Sequence, residues 1–351
     1  MRPCALERAR RRIMSVGYLD RKKQELEAYS PELTRRDDFE VFWSQMRRES
    51  DSVPLDPHYE SVPYPCGGLE VQSVSYCGFD ETRIHGWFIT PVGLTQGTTI
   101  PCVVTYPGFN GNRGTVSSFA HWILAGAAVL SVDVREQRGI TGNMADYTHG
   151  NATSVTTKGL LDKREYYYGA VYMDCLKAID LAASQPLVDP ERIIVAGVSQ
   201  GGGLATAVSA LDERPCCALV DVPSNSNLER RSEIKLAPYS GTGAFGAVNE
   251  YLRVHPGQTD LAFETLSYFD TMNMAEWITA PTVAAVGLDD TVCPAECYYA
   301  TFNRIPALKH MTVYPFAGHG DVSRSQVEVQ LSFLCEQGII DSGTPPSPQP
   351  R

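Results

Sequence analysis

Long hydrophobic runs are missing from this chain of 351 residues. The longest apolar stretch, residues 123–130, is far shorter than the roughly 20 residues that cross a membrane. The basic cluster at residues 8–12 is followed by only a few apolar positions and then by the charged residues 20–23, so no export signal is readable. We therefore expect no membrane partner.

An excess of positive charge is also missing. Thirty Lys and Arg residues stand against 41 Asp and Glu residues, which gives a net charge of −11. A protein that binds nucleic acid through its phosphates usually carries the opposite balance, so no nucleic-acid partner is expected. The hydrophobic share of 43% and the charged share of 20% are ordinary for a globular protein and exclude a disordered or collagen-like chain.

The ten cysteines form neither CxxC pairs nor the framework of a small secreted domain. Free thiols in a reducing compartment are the simplest interpretation, which predicts a cytoplasmic location. Cys293 and Cys297 are four positions apart, but no His or Cys partners follow at metal-binding spacing. We expect no metal site and no cofactor.

The arrangement of apolar segments predicts the fold class. Charged helical patterns at residues 19–29 and 37–49 come first, and alternation at 71–77 and 82–90 predicts an antiparallel hairpin. From Pro101 onward, short apolar strands alternate with helical stretches, which is typical of a doubly wound, mostly parallel sheet with helices on both faces. The predicted strands are 102–106, 127–134, 192–196, 218–222, 282–286 and 311–314, and the predicted helices are 115–125, 166–184, 201–211, 294–302 and 323–337.

Three further segments set the predicted boundaries. Residues 223–280 contain helical patches at 247–254, 261–269 and 272–278 but no obvious strand, so they are expected to form a helical cap inserted over the sheet edge. Residues 1–13 form a basic extension expected to be disordered, with Met14 as a sufficient start. Residues 14–340 are expected to form a single α/β domain, and the proline-rich residues 341–351 are expected to form a disordered tail.

The clearest chemical motif is the G-x-S-x-G string centred on Ser199. It lies directly after the apolar strand at 192–196 and directly before a helix, which is the position of a nucleophile elbow. The flanking glycines let strand and helix approach each other, and the helix N-terminus favours developing negative charge. A glycine-rich turn without chemistry is the alternative. The context favours Ser199 as a nucleophile.

A serine nucleophile needs a base and an orienting acid, which in this arrangement follow the serine in chain order. Of the seven histidines, only His319 comes just after a late predicted strand. The loop after strand 282–286 supplies two candidate acids, Asp289 and Asp290. Either aspartate could orient His319, and either could be a solvated loop carboxylate.

An oxyanion formed at the serine would be held by two backbone N–H groups. One is that of Gln200, the residue after the nucleophile, and the other comes from the loop after strand 102–106. Pro107 has no N–H, so the second donor is Tyr106 or Gly108. An ordinary glycine turn is the alternative for this loop.

Five segments together resemble the bacterial acetyl xylan esterase and cephalosporin C deacetylase family, which is carbohydrate esterase family seven. They are GVSQGGG at 197–203, TYPGFNG at 105–111, LDKREYYY at 161–168, LSYFD at 266–270 and GLDDTVCP at 287–294. The resemblance runs from about residue 19 to residue 338.

The resemblance implies an α/β-hydrolase that removes acetyl groups from small esters without a cofactor. It implies Ser199 as nucleophile, Asp290 as orienting acid and His319 as base. It also implies that the Tyr106 and Gln200 amides form the oxyanion hole. The implied partners are an acetylated oligosaccharide or another small acetyl ester and further copies of the chain, in a homo-oligomer that is usually a hexamer.

Two positions depart from the family pattern. Glu136 stands where the family has glycine in Arg-Gly-Gln, and Gly320 follows His319 where the family has glutamate, with Asp321 one place later. If the missing glycine has a positive φ, Glu136 is strained or the loop takes another path. The neighbouring Arg135 is interpreted as a structural ion pair at the sheet edge rather than a catalytic group.

Other activities remain open on the sequence alone. A thioesterase, a peptidase or a broad short-chain esterase could use the same residues, and a catalytically impaired binding protein could keep the scaffold. Bulky and rigid side chains near the oxyanion loop and in the inserted segment, all aromatic except one proline, predict a small acyl pocket. They are Tyr106, Pro107, Phe109, Tyr239, Phe245, Tyr251, Phe263, Tyr268, Phe269 and Trp277.

Overall fold

The structure, a computed structural model, describes residues 17–148, 154–234 and 244–341. The predicted N-terminal extension at 1–13, the start at Met14 and the tail beyond residue 341 lie outside the described residues.

A nine-stranded sheet with the order β1-β2-β3-β5-β4-β6-β7-β8-β9 forms the centre of the fold. The first three strands and the β3–β5 pair are antiparallel, and the remaining pairs are parallel. The strands are β1 His58–Ser61, β2 Leu69–Cys77, β3 Arg83–Pro91, β4 Ile100–Tyr106, β5 Ala128–Val132, β6 Val188–Val198, β7 Pro215–Asp221, β8 Thr282–Gly287 and β9 Lys309–Tyr314. Because β4, β6, β7, β8 and β9 are parallel neighbours, the loops after them meet at one carboxyl edge.

The helices connect the strands and cover both faces of the sheet. They are α1 Tyr18–Glu27, α2 Phe39–Ser52, α3 Ala120–Leu124, α4 Tyr167–Ala183, α5 Gln200–Leu211, α6 Leu228–Glu233, α7 Ala244–Val254, α8 Thr259–Ser267, α9 Ala295–Phe302 and α10 Ser323–Glu336. No helix among the described residues combines the length and the apolar character that a membrane span requires. The predicted α/β class, and more narrowly the α/β-hydrolase fold, is confirmed.

The second helix, α2, packs an apolar face onto the inserted segment. Phe42 and Trp43 are almost fully buried, with the Phe42 ring centroid 4.8 Å from that of Tyr268. The Trp43 indole N–H donates to the Tyr268 carbonyl oxygen at 3.1 Å. This packing attaches the N-terminal helices to the segment that borders the carboxyl edge of the sheet.

One predicted detail was wrong, and two elements were not predicted. The patch at 272–278 is two short 3-10 helices, Thr271–Asn273 and Ala275–Trp277, because the Asp270 carboxylate caps a tight turn by accepting the Met272 N–H. The strand β1 was not predicted, since all its residues are exposed and it carries no apolar alternation. Helix α6 was also missed, because its six residues are mostly charged.

Candidate active site

Ser199 lies between β6 and α5, in a backbone conformation that a non-glycine residue rarely adopts. Its φ is 60° and its ψ is −119°. Such a conformation costs of the order of 1–3 kcal/mol and persists only where the surroundings hold it. Here the Ser199 N–H donates to the Asp221 carbonyl at 2.9 Å, and the Ser199 carbonyl accepts the N–H groups of Gly203 and Ser224. The turn therefore presents the Ser199 hydroxyl at the carboxyl edge.

This turn requires two glycines, because neighbouring backbone atoms occupy the space that a side chain would need at these positions. A Cβ on Gly197 would lie 2.1 Å from the Gly201 carbonyl carbon, and one on Gly201 would lie 2.0 Å from the Tyr106 carbonyl oxygen. No real Cβ tolerates such contacts. The glycines of the motif are thus explained by the close approach of β6, α5 and the loop after β4.

His319 is in direct contact with Ser199. Its Nε2 lies 2.9 Å from the Ser199 Oγ, and its Nδ1 lies 2.7 Å from Oδ2 of Asp290. The imidazole comes from the loop after β9 and the carboxylate from the loop after β8, so parallel pairing of the two strands brings them together. The structure thus joins a hydroxyl, an imidazole and a carboxylate through two successive hydrogen-bond contacts.

The Asp290 carboxylate is held in a fixed orientation. Its side chain is fully buried, and its Oδ1 accepts the backbone N–H groups of Val292 and Cys293, each at 2.8 Å. Asp289 is exposed, and its side chain makes no hydrogen bond with His319, whose Nδ1 lies against Asp290. Of the two candidate acids, the structure therefore brings only Asp290 against the imidazole.

The two candidate amides of Tyr106 and Gln200 flank the serine turn. Gln200 is the first residue of α5, and the first N–H groups of a helix have no intrahelical partner. Tyr106 is the last residue of β4 and pairs with Gly197. A Cβ on Gly108 would lie 3.8 Å from the Ser199 Cβ, so the loop after β4 passes directly beside the nucleophile.

The Gln200 side chain ties this region to the loop after β5. Its Nε2 donates to the Pro107 carbonyl at 3.3 Å, and its Oε1 accepts from Tyr168 Oη at 3.0 Å and from Gln137 Nε2 at 2.9 Å. Neither Tyr168 nor Gln137 was predicted to be a site residue. Their position in the LDKREYYY segment and beside Arg135 was the only available signal.

A cavity of about 380 Å³ opens in front of Ser199 and His319. Phe109, Phe245 and Phe269 line it, as the aromatic pattern predicted, together with Tyr166 and Tyr168 from the start of α4. The prediction was wrong for Tyr106, Pro107, Tyr251, Phe263, Tyr268 and Trp277, which do not line it, and Tyr239 lies outside the described residues. Tyr268 instead bonds Asp38 and Lys163, and Trp277 packs against Phe39.

Arg135 forms the structural ion pair that the sequence predicts, and its side chain is more deeply buried than expected for an ion pair at the sheet edge. The guanidinium is fully buried and makes bidentate contacts with Asp174, at 2.6 and 2.8 Å, and with Asp80, at 2.9 Å twice. Burial alone would raise the pKa of Asp80, but the hydrogen bonds and the positive charge of Arg135, with hydrogen bonds from Thr82, together outweigh burial, and the pKa is lowered. Arg135 therefore fixes the loop after β5 rather than reaching the cavity.

The two departures from the family pattern have local structural solutions. Glu136 has a φ of 56°, so the position does require the left-handed region. Its carboxylate is hydrogen bonded by Asn143 and by Lys158, which stabilises the loop in that conformation. After Gly320, the Asp321 carboxylate accepts the Gly318 N–H at 2.9 Å and so closes the loop that carries His319.

Two buried groups near the serine have shifted pKa values. Burial raises the pKa of the Cys293 thiol, which lines the cavity, well above its usual range. Burial also raises the pKa of Asp221 to about 7, although hydrogen bonding from Gln330 opposes the shift.

Among the described residues, no group of three or more His, Cys, Asp or Glu side chains is placed to hold a metal ion.

Comparison with known proteins gives a consistent set of relatives. Residues 16–337 match the family model described as acetyl xylan esterase (AXE1). The acetyl xylan esterase from Paenibacillus sp. R4 is 37% identical, with a TM-score of 0.85 over 89% of this chain and 98% of that one. Acetyl xylan esterase 1 from Thermoanaerobacterium sp. JW/SL YS485 is 26% identical, with a TM-score of 0.83 over the same shares. Acetyl esterase Axe7A of Xylanibacter ruminicola is 26% identical over 88% of this chain and 70% of its own length.

Proposed function

Because the chain belongs to the acetyl xylan esterase family and is a carboxylic ester hydrolase, we propose that it removes acetyl and other short acyl groups from small esters through Ser199, His319 and Asp290. The observation that carries the proposal is the contact chain from Ser199 Oγ to His319 Nε2 and from His319 Nδ1 to Asp290. Its hydroxyl end faces a cavity large enough for a small ester.

In the first half of the proposed reaction, Ser199 Oγ attacks the ester carbonyl carbon while His319 Nε2 takes the hydroxyl proton. The negative charge that develops on the carbonyl oxygen is stabilised by the N–H groups of Gln200 and Tyr106. The Asp290 carboxylate, held by two backbone N–H groups, stabilises the imidazolium and fixes its orientation. The tetrahedral intermediate collapses, and His319 gives its proton to the departing alkoxide.

The second half reverses these roles with water as the nucleophile. His319 removes a proton from water, and the resulting hydroxide attacks the acetyl-Ser199 carbonyl carbon. When the Ser199–acyl bond breaks, His319 returns the proton to Ser199 Oγ, and acetate leaves. No cofactor is needed for either step.

Labelling with a fluorophosphonate tests the nucleophile. The reagent should add to Ser199 and to no other serine, because only an activated hydroxyl displaces fluoride. Protein with Ser199→Ala should lose both the label and the hydrolysis of aryl acetates. Ser224 lines the same cavity, but its hydroxyl donates to Asn225 Oδ1 and not to a histidine, so Ser224→Ala protein should still be labelled. Labelled Ser199→Ala protein, or activity within tenfold of the parent, would refute the assignment.

The substrate class extends this proposal. Acetylated xylo-oligosaccharides are proposed as substrates with the support of the family and of the names of its relatives. Cephalosporin-type acetates are proposed from the resemblance of the sequence motifs alone. Initial rates on matched acetyl esters, acetyl thioesters and peptide amides would separate the deacetylase from a thioesterase or a peptidase. Faster turnover of either alternative substrate would contradict the proposal.

The assembly and location stay predictions. We propose a homo-oligomer, with a hexamer as the specific expectation from the family, and a cytoplasmic location. Light scattering on the purified protein measures the oligomeric state, and a monomeric mass at micromolar concentration would exclude the homo-oligomer. Fractionation of the native cells measures the location.

A further inference from the structure

Arg231 places a positive charge in the wall of the cavity that holds Ser199. Its side chain projects from α6, and the residue is only 7% exposed. It lines the cavity together with Val292, Cys293 and His319. Arg231 is therefore close to the proposed reacting groups, yet the proposed mechanism gives it no role.

The donors of this guanidinium are only partly satisfied. Its Nε donates to the Val292 carbonyl at 2.9 Å and one Nη2 hydrogen points to the Thr291 carbonyl at 3.4 Å. Its Nη1 is buried and has no hydrogen-bond partner among the described residues. No carboxylate of the described chain pairs with it, in contrast to Arg135, which is bound by two.

A buried cation without an anion is costly, because it has lost water and gained no counter-charge. The described residues that line the cavity include no Asp or Glu. An anion that enters the cavity would therefore meet one positive charge and no negative charge on its walls. The free Nη1 edge has the planar geometry that matches a carboxylate.

From this geometry we infer that Arg231 binds a carboxylate on the alcohol portion of the ester. The inference rests on the proposed function, in which the acyl group is an uncharged acetyl, so the negative charge must belong to the alcohol. A carboxylate fits better than a phosphate ester, because a single guanidinium would neutralise only one of its charges. Among the proposed acetyl ester substrates, those whose alcohol portion carries a carboxylate, the acetyl esters of hydroxy acids, are thus turned over faster than neutral acetylated xylo-oligosaccharides.

A pair of nearly isosteric substrates tests this on the wild-type protein. The rates to compare are kcat/KM for 4-acetoxybenzoate, which carries a carboxylate, and for 4-acetoxybenzamide, which is neutral. Charge-assisted hydrogen bonds in a buried site should make the carboxylate substrate better by about 10- to 100-fold. An equal rate, or a preference for the amide, would overturn the inference without any variant.

Variants then assign the preference to one side chain. Arg231→Gln should reduce the ratio of the two kcat/KM values to near one, and Arg231→Lys should keep part of it. Arg230→Gln is the matched control, because Arg230 is half-exposed, pairs with Glu233 and Glu296, and does not line the cavity. If Arg231 only supports the loop at 291–292, both rates fall equally and the ratio stays unchanged, which contradicts the inference.

Binding of the product alcohol separates this inference from the proposed function. Calorimetry should show that wild-type protein binds 4-hydroxybenzoate at least tenfold more tightly than 4-hydroxybenzamide, and that Arg231→Gln protein loses the difference. If neither ester is hydrolysed but this binding difference is found, the proposed function fails and the anion site stands. If acetyl esters are hydrolysed without any difference, the anion site fails and the proposed function stands.

Discussion

Asp289 and Asp290 are neighbours in the chain, but only one is placed to affect catalysis. Replacing Asp290 by Asn removes the charge that stabilises the imidazolium while leaving the shape of the side chain almost unchanged. We expect kcat on an aryl acetate to fall about 10³- to 10⁴-fold, as loss of an orienting carboxylate does in comparable sites.

The matched control for this prediction is Asp289→Asn, which changes the same charge one residue earlier on an exposed side chain. Its kcat should stay within a few-fold of the parent. Larger damage from Asp289→Asn than from Asp290→Asn would show that the orienting acid is the other residue.

The strained backbone at Ser199 predicts that the residue required for activity lowers the stability of the fold. Glycine adopts a φ of 60° without strain, whereas alanine keeps the strain and also lacks the hydroxyl. We expect the Ser199→Gly protein to be more stable than the Ser199→Ala protein by about 1 kcal/mol, after glycine's larger entropy loss is deducted. For a chain of this size, this corresponds to a difference of about 1–2 °C in Tm by scanning calorimetry. A lower Tm for the glycine variant would mean that the turn is not strained.

Single residues differed in how far the sequence could reveal them. Ser199 and His319 stood out because each follows an apolar strand at a fixed place in the order of elements. Asp290 could be separated from Asp289 only by resemblance, since one residue of register decides which side chain turns inward. Arg231 gave no signal, because burial of a charge in a six-residue helix depends on contacts from a loop 60 residues away.

At the scale of elements, most of the fold could be predicted from the spacing of apolar residues and from the residues that bound each apolar run. The buried parallel strands were predictable because their runs of Val, Ile and Ala are bounded by Gly, Pro or charged residues. The exposed strand β1 was not predictable from the sequence. An edge strand such as β1 can be held by backbone hydrogen bonds to β2 without presenting a row of apolar side chains. The short 3-10 turns of the insertion depend on the buried Asp270 carboxylate, a contact that periodicity does not encode.

The end of β7 and helix α10 share a buried carboxyl group whose titration should be measurable. The pKa of Asp221 is raised to about 7, chiefly by burial, so the folded state holds this proton more tightly than the unfolded state. This group's contribution to the free energy of unfolding is therefore largest below pH 4 and declines as the pH rises from about 4 to 7.

Asp221→Asn removes that decline. The variant should gain stability relative to the parent as the pH increases from 5 to 8, by an amount on the order of a few kcal/mol. Thermal unfolding of both proteins at several pH values provides the measurement, with Asp289→Asn as an exposed control. A Tm difference that does not change with pH would contradict it.

At the scale of the whole molecule, the cavity arises where the sheet edge, the start of α4 and the inserted segment meet. Its 380 Å³ must hold both the acyl group and part of the alcohol, and its aromatic walls are rigid. Each methylene that cannot be accommodated forfeits about 0.8 kcal/mol of transfer energy and adds a packing cost. We expect kcat/KM to fall roughly tenfold or more beyond three or four acyl carbons.

Aryl acetate, butyrate and octanoate assayed side by side provide the measurement of acyl length. The acetate should be the best substrate or close to it. Faster turnover of the octanoate would identify a lipase-like esterase, and the loop around Glu136 and the position of Gly320 would then be the first places to compare with deacetylases.

The parallel order of the sheet also has a consequence for the time course of folding. The hydrogen bond between Ser199 and His319 joins positions 120 residues apart, and that between His319 and Asp290 spans 29. Such distant pairings form slowly, because the chain must lose the entropy of closing long loops before it gains their contacts. Since β6, β7, β8 and β9 must all be paired in register before the three groups meet, reactivity of Ser199 returns only with the final native packing. During refolding, the rate of fluorophosphonate labelling should therefore recover later than the helical circular dichroism signal. The labelling would report the time at which the final native packing forms.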